Sequence, residues 1–469
     1  MSSEICPDNF TAMKITRHYL TIKNAESKRR VHYRKCGDGP PVLLIHQSPR
    51  SSAEYETVMR QWGERFTCIA PDSPGFGQSD PLPVERPSTA DYADAIIAFA
   101  DAAGFRGIAA YGFHSGGIFL MNALRRYPEK FVALGVGGYP CFREDELADV
   151  GEDYLPPFAP KEFGEHLVWA WNRMLEQSWY FPWFKPENSR RLPNPHADPM
   201  ALQNMVMDLL ASGDSYRDGY RAALTAGFDV PAATASVPPA FLSSYHGDPM
   251  TAHMKRFPAL PSGWTTQEQS DPPSHFAANA DFLEKHPAPA FTPATDEDAG
   301  FLHVSAGGFD GLIHWQGAGK TLHLHAPGRS FDVLSASGRL KIDLPGHGLS
   351  DPWGGEPPVD YDAWQRVISV VCAHFNVENV ESEPLPKGEP DLLYPDLNPD
   401  RFGGHLVKAW AIVRAAHVFE PWYATARDNA VSIDTAAMAA DKLAREHLAL
   451  IRSSAAKALH IARLSERMI

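Results

Sequence analysis

A histidine lies between two closely spaced glycines in Gly112-Phe113-His114-Ser115-Gly116. The apolar run from Ile108 to Tyr111 precedes it and Ile118-Phe119-Leu120-Met121 follows, which reads as strand, sharp turn and helix. Such a turn lifts its central side chain above a sheet and presents it as a nucleophile. It needs small residues two places before and two places after the tip, where strand and helix backbones nearly touch. Gly112 and Gly116 meet that need, so the spacing puts His114 at the tip. A shift of one place would put Ser115 there instead, with His114 beside it. At the tip, His114 attacks directly or serves as a base toward water or a substrate proton. Ser115 then lends its backbone N–H to an oxyanion hole, and its hydroxyl points away.

An acid and a second histidine belong behind such a tip. Asp248, before Pro249, and His275, 27 residues later in Pro272-Pro273-Ser274-His275, follow in that order. Asp248 would orient His275 and stabilise its cation. Taken singly, Asp248-Pro249 is a turn starter and His275 a helix-start neighbour; the ordered set of three favours catalysis. The other oxyanion donor is expected in His46-Gln47-Ser48, with the Ser48 N–H as donor and the Gln47 amide near the site. Arg50 either clamps a substrate carboxylate in bidentate fashion or makes a surface salt bridge. Among the many tryptophans after residue 165, Trp171 and Trp183 are expected to line an apolar pocket and the rest to fill the core. No His-Glu-x-x-His motif occurs, and Gly75-Phe76-Gly77 lacks the third glycine of a dinucleotide loop. Neither metal nor cofactor is expected.

The supporting elements follow in order. Residues 11–36 alternate apolar and polar about a turn, as a hairpin does, and Pro41 to Ile45 is a continuous apolar run, as a buried parallel strand requires. Alternating strands and helices then predict a doubly wound, mostly parallel α/β sheet. Its core is expected over 1–144 and 231–290, with a helical cap over 145–230 and a linker at 291–297. Residues 298–469 repeat earlier blocks. Asp343-Leu344-Pro345-Gly346-His347-Gly348 mirrors Asp72-Ser73-Pro74-Gly75-Phe76-Gly77, and Phe402-Gly403-Gly404-His405-Leu406-Val407 mirrors Phe163-Gly164-Glu165-His166-Leu167-Val168. This second copy has half a core at 298–380 and cap-like helices at 398–469. It lacks the glycine-flanked turn, so a packing or assembly role is expected, with a homodimer through the second copy as one form.

Residues 11–285 resemble the α/β-hydrolase superfamily, in particular capped enzymes related to haloalkane dehalogenases, epoxide hydrolases and C–C bond hydrolases. The likeness is carried by the hairpin, the His46 loop, Asp72-x-Pro-Gly-Phe-Gly-x-Ser-Asp80, the turn at His114 with Arg126-Tyr127-Pro128 after it, Asp248 and His275. It implies a hydrolase acting on an ester, lactone or activated C–C bond of a small, largely apolar molecule, carboxylate-bearing if Arg50 is a clamp. A lyase or decarboxylase using His114 and His275, and a binding protein that has lost turnover, are the alternatives. Of the 469 residues 44% are hydrophobic, enough for sizeable cores. A net charge of −14 argues against nucleic acid or an anionic membrane as partner. The five scattered cysteines (Cys6, Cys36, Cys68, Cys141, Cys372), the lack of a signal pattern and the lack of a long apolar segment give the expectation of a cytoplasmic protein.

Overall fold

The computed structural model describes residues 13–23, 28–193, 195–196, 198–334 and 338–466. Cys6 and the turn of the N-terminal hairpin lie outside the described residues. The chain begins with β1 (Thr16–Lys23), β2 (Lys28–Cys36), β3 (Pro41–Ile45), α1 (Glu56–Trp62), β4 (Thr67–Pro71), α2 (Thr89–Ala103), β5 (Ile108–Phe113), α3 (Ser115–Arg126) and β6 (Phe131–Gly137). The helices α4 (Glu144–Val150), α5 (Glu165–Gln177), α6 (Pro199–Ser212) and α7 (Tyr216–Leu224) intervene before β7 (Ala240–Tyr245), β8 (Trp264–Gln269) and α8 (Pro272–Glu284).

These strands form one eight-stranded sheet in the order β1-β2-β4-β3-β5-β6-β7-β8. Only β1 with β2 and β2 with β4 pair antiparallel. Every residue of β3, β4 and β5 is buried, which is why these strands are written as unbroken apolar runs. From β3 the chain moves outward to β4 and then crosses to β5 on the other side. The carboxyl ends of β3 and β5 therefore flank a topological switch point, where open α/β sheets hold their ligands.

The second copy contributes β9 (Ala299–Ala306), β10 (Phe309–Gln316), β11 (Ala318–Leu324), β12 (Arg339–Ile342), α9 (Tyr361–Phe375) and β13 (Asn379–Ser382). Their sheet runs β13-β11-β12-β10-β9, the order of β5-β3-β4-β2-β1 over again. Buried polar pairs repeat as well. Asp72 holds His32 at 2.9 Å and Asp343 holds His314 at 2.8 Å. His46 Nε2 accepts the Ser73 N–H, and His325 Nε2 accepts the Leu344 N–H. Strand register shows what was lost: Ile45 pairs with Gly112 and Leu324 with Ser382, so Pro384 falls where the first copy has His114. With no glycines there, the sharp turn cannot form.

The cap is duplicated too, in α10 (Pro390–Leu393), α11 (Gly404–Ala416), α12 (Ala440–Ile451) and α13 (Ala456–Glu466). The Trp183 indole donates to the Tyr154 carbonyl at 3.2 Å, and Trp422 to the Leu393 carbonyl at the same distance. The chain divides into two compact units: one holds the chain through Pro157, Gln177–Pro195 and Met207–Thr295, the other Phe158–Glu176, His196–Val206 and the chain from Asp296 on. The expected division, with 145–230 wholly a cap on the first core, is corrected here. Within the second unit α5 and α11 bind each other reciprocally. The Trp171 indole donates to the Arg401 carbonyl (3.2 Å) while Trp410 donates to the Glu162 carbonyl (3.1 Å). His166 packs edge-on against Trp410, and His405 edge-on against Trp171. Gly164 and Gly403 permit this approach: a Cβ on either would stand within 3.0 Å of the opposing tryptophan.

Candidate active site

The turn after β5 adopts the sharp geometry that the glycine spacing predicts. A Cβ on Gly112 would meet the Gly116 carbonyl carbon at 2.6 Å, and one on Gly116 would meet the Ile45 oxygen at 2.0 Å. His114 occupies the tip with φ 46° and ψ −116°, a strained conformation for a non-glycine residue. Its N–H donates to the Gly137 carbonyl, and α3 starts at the next residue.

His114 is a quarter exposed and Asp248 is wholly buried, with His114 Nε2 3.1 Å from Asp248 Oδ1. The Met250 N–H donates to the same carboxylate oxygen at 2.8 Å. Burial would raise the Asp248 pKa, but the His114 charge and hydrogen bond, the Met250 N–H and the His275 charge together hold it below its ordinary value. Asp248 is thus an anion, and Nε2 of His114 carries the proton it accepts. On the other ring edge, Nδ1 lies 3.1 Å from Gln47 Oε1. Glu54 fixes that amide: its two carboxylate oxygens accept the Gln47 N–H (2.8 Å) and the Gln47 side-chain NH₂ (3.2 Å), which turns Oε1 toward the imidazole. Both ring nitrogens therefore face acceptors once Nδ1 is protonated.

Several expectations are corrected by this arrangement. His275 is not the partner of Asp248. It lies beneath the site, fully buried, with Nε2 2.7 Å from the Tyr111 hydroxyl and Nδ1 3.2 Å from Ser243 Oγ. Burial pushes its pKa down to about 4, so it is a neutral core imidazole. The Ser48 N–H is not an open oxyanion donor, because it donates to Ser115 Oγ at 2.7 Å, and the Ser115 hydroxyl donates to Ser48 Oγ at 3.2 Å. Ser115 is buried in this pair, and among the described residues no imidazole hydrogen-bonds its oxygen to activate it. The Gln47 N–H is committed to Glu54, and Gln47 acts through its amide oxygen instead. Arg50 donates to Asp208 at 2.8 Å, the same carboxylate that accepts the Ser51 hydroxyl. Burial alone would lower the Arg50 pKa, but the Asp208 and Glu54 charges outweigh it and hold it above its ordinary value, so it is a paired cation and no substrate clamp. His46 is structural: it pins the loop after β4, as His325 does in the copy that has no tip histidine. Trp171 belongs to the α5–α11 contact, and Trp183 packs behind Tyr154.

The tip opens into a cavity of about 230 Å³ lined by His114, Gln47, Phe142, Tyr154, Phe181 and Tyr220 among others. Phe142, Phe181 and Tyr220 are not singled out in the sequence reading; the aromatic richness of 145–230 is the signal for Phe181 and Tyr220, and Phe142 has none. Phe113 stacks on His114 with ring centres 4.0 Å apart and separates it from His275. Among the described residues no group of three or more His, Cys, Asp and Glu is arranged to hold a metal ion, and no helix is long and apolar enough to cross a membrane.

Residues 40–198 match the family model described as alpha/beta hydrolase fold. Haloalkane dehalogenase 2 of Mycobacterium tuberculosis and of Mycobacterium bovis is 44% identical over 66 residues, 14% of this chain and 21% of the relative. A soluble epoxide hydrolase of a Corynebacterium species is 39% identical over 67 residues, 14% of this chain and 22% of the relative. The chain thus spans about a fifth of the length of these curated relatives. A thermophilic esterase from Thermogutta terrifontis superposes on 58% of this chain and 99% of its own, with 15% identity and a TM-score of 0.45.

Proposed function

We propose, from the premise of an α/β-hydrolase fold with histidine at the nucleophile position, that the protein is a hydrolase in which His114 is the acid–base group. The substrate is a small, largely apolar ester, lactone or compound with an activated C–C bond. Asp248 holds Nε2–H, and Nδ1 is the basic nitrogen once water displaces Gln47 Oε1 from it. When Nδ1 takes a proton from water, Asp248 and Gln47 Oε1 stabilise the resulting imidazolium, and the hydroxide attacks the substrate carbonyl. The relatives named haloalkane dehalogenase and epoxide hydrolase support hydrolytic chemistry. The observation that carries the reading is the His114–Asp248 pair, at the tip of the turn and facing an apolar cavity.

A second reading, proton abstraction from the substrate in a lyase-type reaction, is favoured by the commitment of the Ser48 N–H to Ser115, which removes one oxyanion donor. A panel of aryl esters, lactones and 1,3-diketones, with rapid-quench intact-mass analysis of the protein, separates the outcomes. Turnover of an ester without an acyl adduct supports water activation by His114. An adduct on Ser115 contradicts it, and exchange of a substrate C–H proton with solvent without hydrolysis selects the second reading.

A further inference from the structure

A second chamber of about 260 Å³ adjoins the cavity at His114, and Ile118, Pro140, Phe142, Ala223 and Leu224 line both. The inner chamber carries the reacting group, His114. Beyond the shared wall the outer one is lined by Leu147 and Phe228 and reaches Arg143 and Arg256. Both arginines are already neutralised. Arg256 donates to the two Glu146 oxygens at 2.6 and 2.8 Å and to the Cys141 carbonyl, and Arg143 pairs with Asp145 and Glu146. With Arg50 bound to Asp208, no unpaired arginine or lysine lines either chamber among the described residues.

We infer that the two chambers open into one bent passage and that the outer one is the subsite for the tail of an elongated, uncharged substrate, a linear acyl or alkyl chain whose reacting end sits at His114. This rests on the proposed hydrolase reading for the position of the reacting group, and it deepens that reading by naming the substrate class. An apolar tail gains from burial along Ile118, Phe142 and Leu224, whereas a carboxylate at its far end would meet arginines whose charge is already spent on Glu146 and Asp145. Lengthening the chain by one methylene tightens binding about fourfold until the passage is filled.

The test uses unreactive probes and the full chain. Linear primary alcohols from butanol to dodecanol are titrated into wild type and His114→Ala by calorimetry, with the ω-carboxylated alcohols of matching length alongside. The expected result is affinity that rises with chain length in both proteins, weaker binding of every ω-carboxylated probe, and loss of the gain for long chains alone in Ala223→Trp. Leu147→Trp, at the outer end, shortens the optimum in the same way and covers the case in which the α7 variant fails to fold. Affinity independent of length, tighter binding of the ω-carboxylated probes, or equal weakening of short and long chains in both tryptophan variants overturns the inference. Because binding is read without turnover, length dependence in a protein that hydrolyses nothing would sink the hydrolase reading and leave the subsite standing.

Discussion

Replacing Glu54 with glutamine isolates the part that this buried carboxylate plays through Gln47. Glu54 accepts both the backbone and the side-chain N–H of Gln47, and this alone keeps Gln47 Oε1 aimed at His114 Nδ1. Glutamine at position 54 has one acceptor for these two donors. Its own NH₂ faces the Gln47 amide, which turns over and offers NH₂ to the imidazole. The acceptor that stabilised protonated His114 is then lost, together with a nearby negative charge. A hydrogen bond to a charged group is worth about 1.5–3 kcal/mol, and each step of about 1.36 kcal/mol is tenfold in rate. Loss of that acceptor should lower kcat by about ten- to a hundredfold. Stability changes as well. Burial raises the Glu54 pKa, with Arg50, His46 and the Gln47 hydrogen bonds offsetting only part of the rise. The folded state therefore holds this proton more tightly than the unfolded chain does, and stability declines as pH climbs from the ordinary carboxylate range through the raised value. Glu54→Gln should remove that decline in urea melts between pH 4 and 8. Tyr55, Tyr111 and Tyr245, whose hydroxyls feel Glu54, stay neutral throughout. An unchanged kcat in a folded variant would refute this role for Glu54.

Other substitutions probe separate parts of the account. Ser115→Ala leaves the buried Ser48 N–H without its acceptor and should cost about 1–3 kcal/mol in denaturant melts; a loss near zero would show that the pair does not form. Gly116→Ala drives a Cβ into the Ile45 carbonyl and should abolish soluble expression, while a folded, active variant would contradict the turn geometry. His347 stands where the first copy has Phe76; burial pushes its pKa down to about 3, and its Nε2 lacks a partner. The unfolded chain binds this proton between pH 6.5 and about 3 while the folded state does not, so stability falls as pH drops through that window. His347→Phe should stabilise by about 1 kcal/mol at pH 7 and by more below pH 6.5, and a destabilised variant at pH 5 would contradict the buried neutral imidazole. Trp171→Ala removes a fully buried indole from the α5–α11 contact and should cost about 3–5 kcal/mol; a cost below about 1 kcal/mol would argue against that contact.

The mostly parallel sheet and the position of His114 were legible because steric needs are written locally: buried parallel strands demand apolar runs, and a sharp turn demands Gly112 and Gly116. The partners of the candidate residues were not, since they are set by chain segments far apart. Arg50 looks like a clamp until Asp208 is brought beside it from α6. Asp248 and His275 have the expected order, yet His275 is drawn under the sheet end by the hydroxyls of Tyr111 and Ser243 on β5 and β7. Those two residues were the available signal, because a buried hydroxyl needs a partner. The repeat was readable block by block, but not the reciprocal seating of Trp171 and Trp410, which depends on glycines at 164 and 403.

The central claim is that His114, held by Asp248, does the chemistry and that Ser115 does not. It is tested most directly by kcat on a single linear aryl ester for wild type, His114→Ala and Ser115→Ala. The account predicts a loss of about 10²- to 10⁴-fold for His114→Ala, with Ser115→Ala staying within about tenfold of wild type. Activity that survives in His114→Ala and vanishes in Ser115→Ala would contradict it.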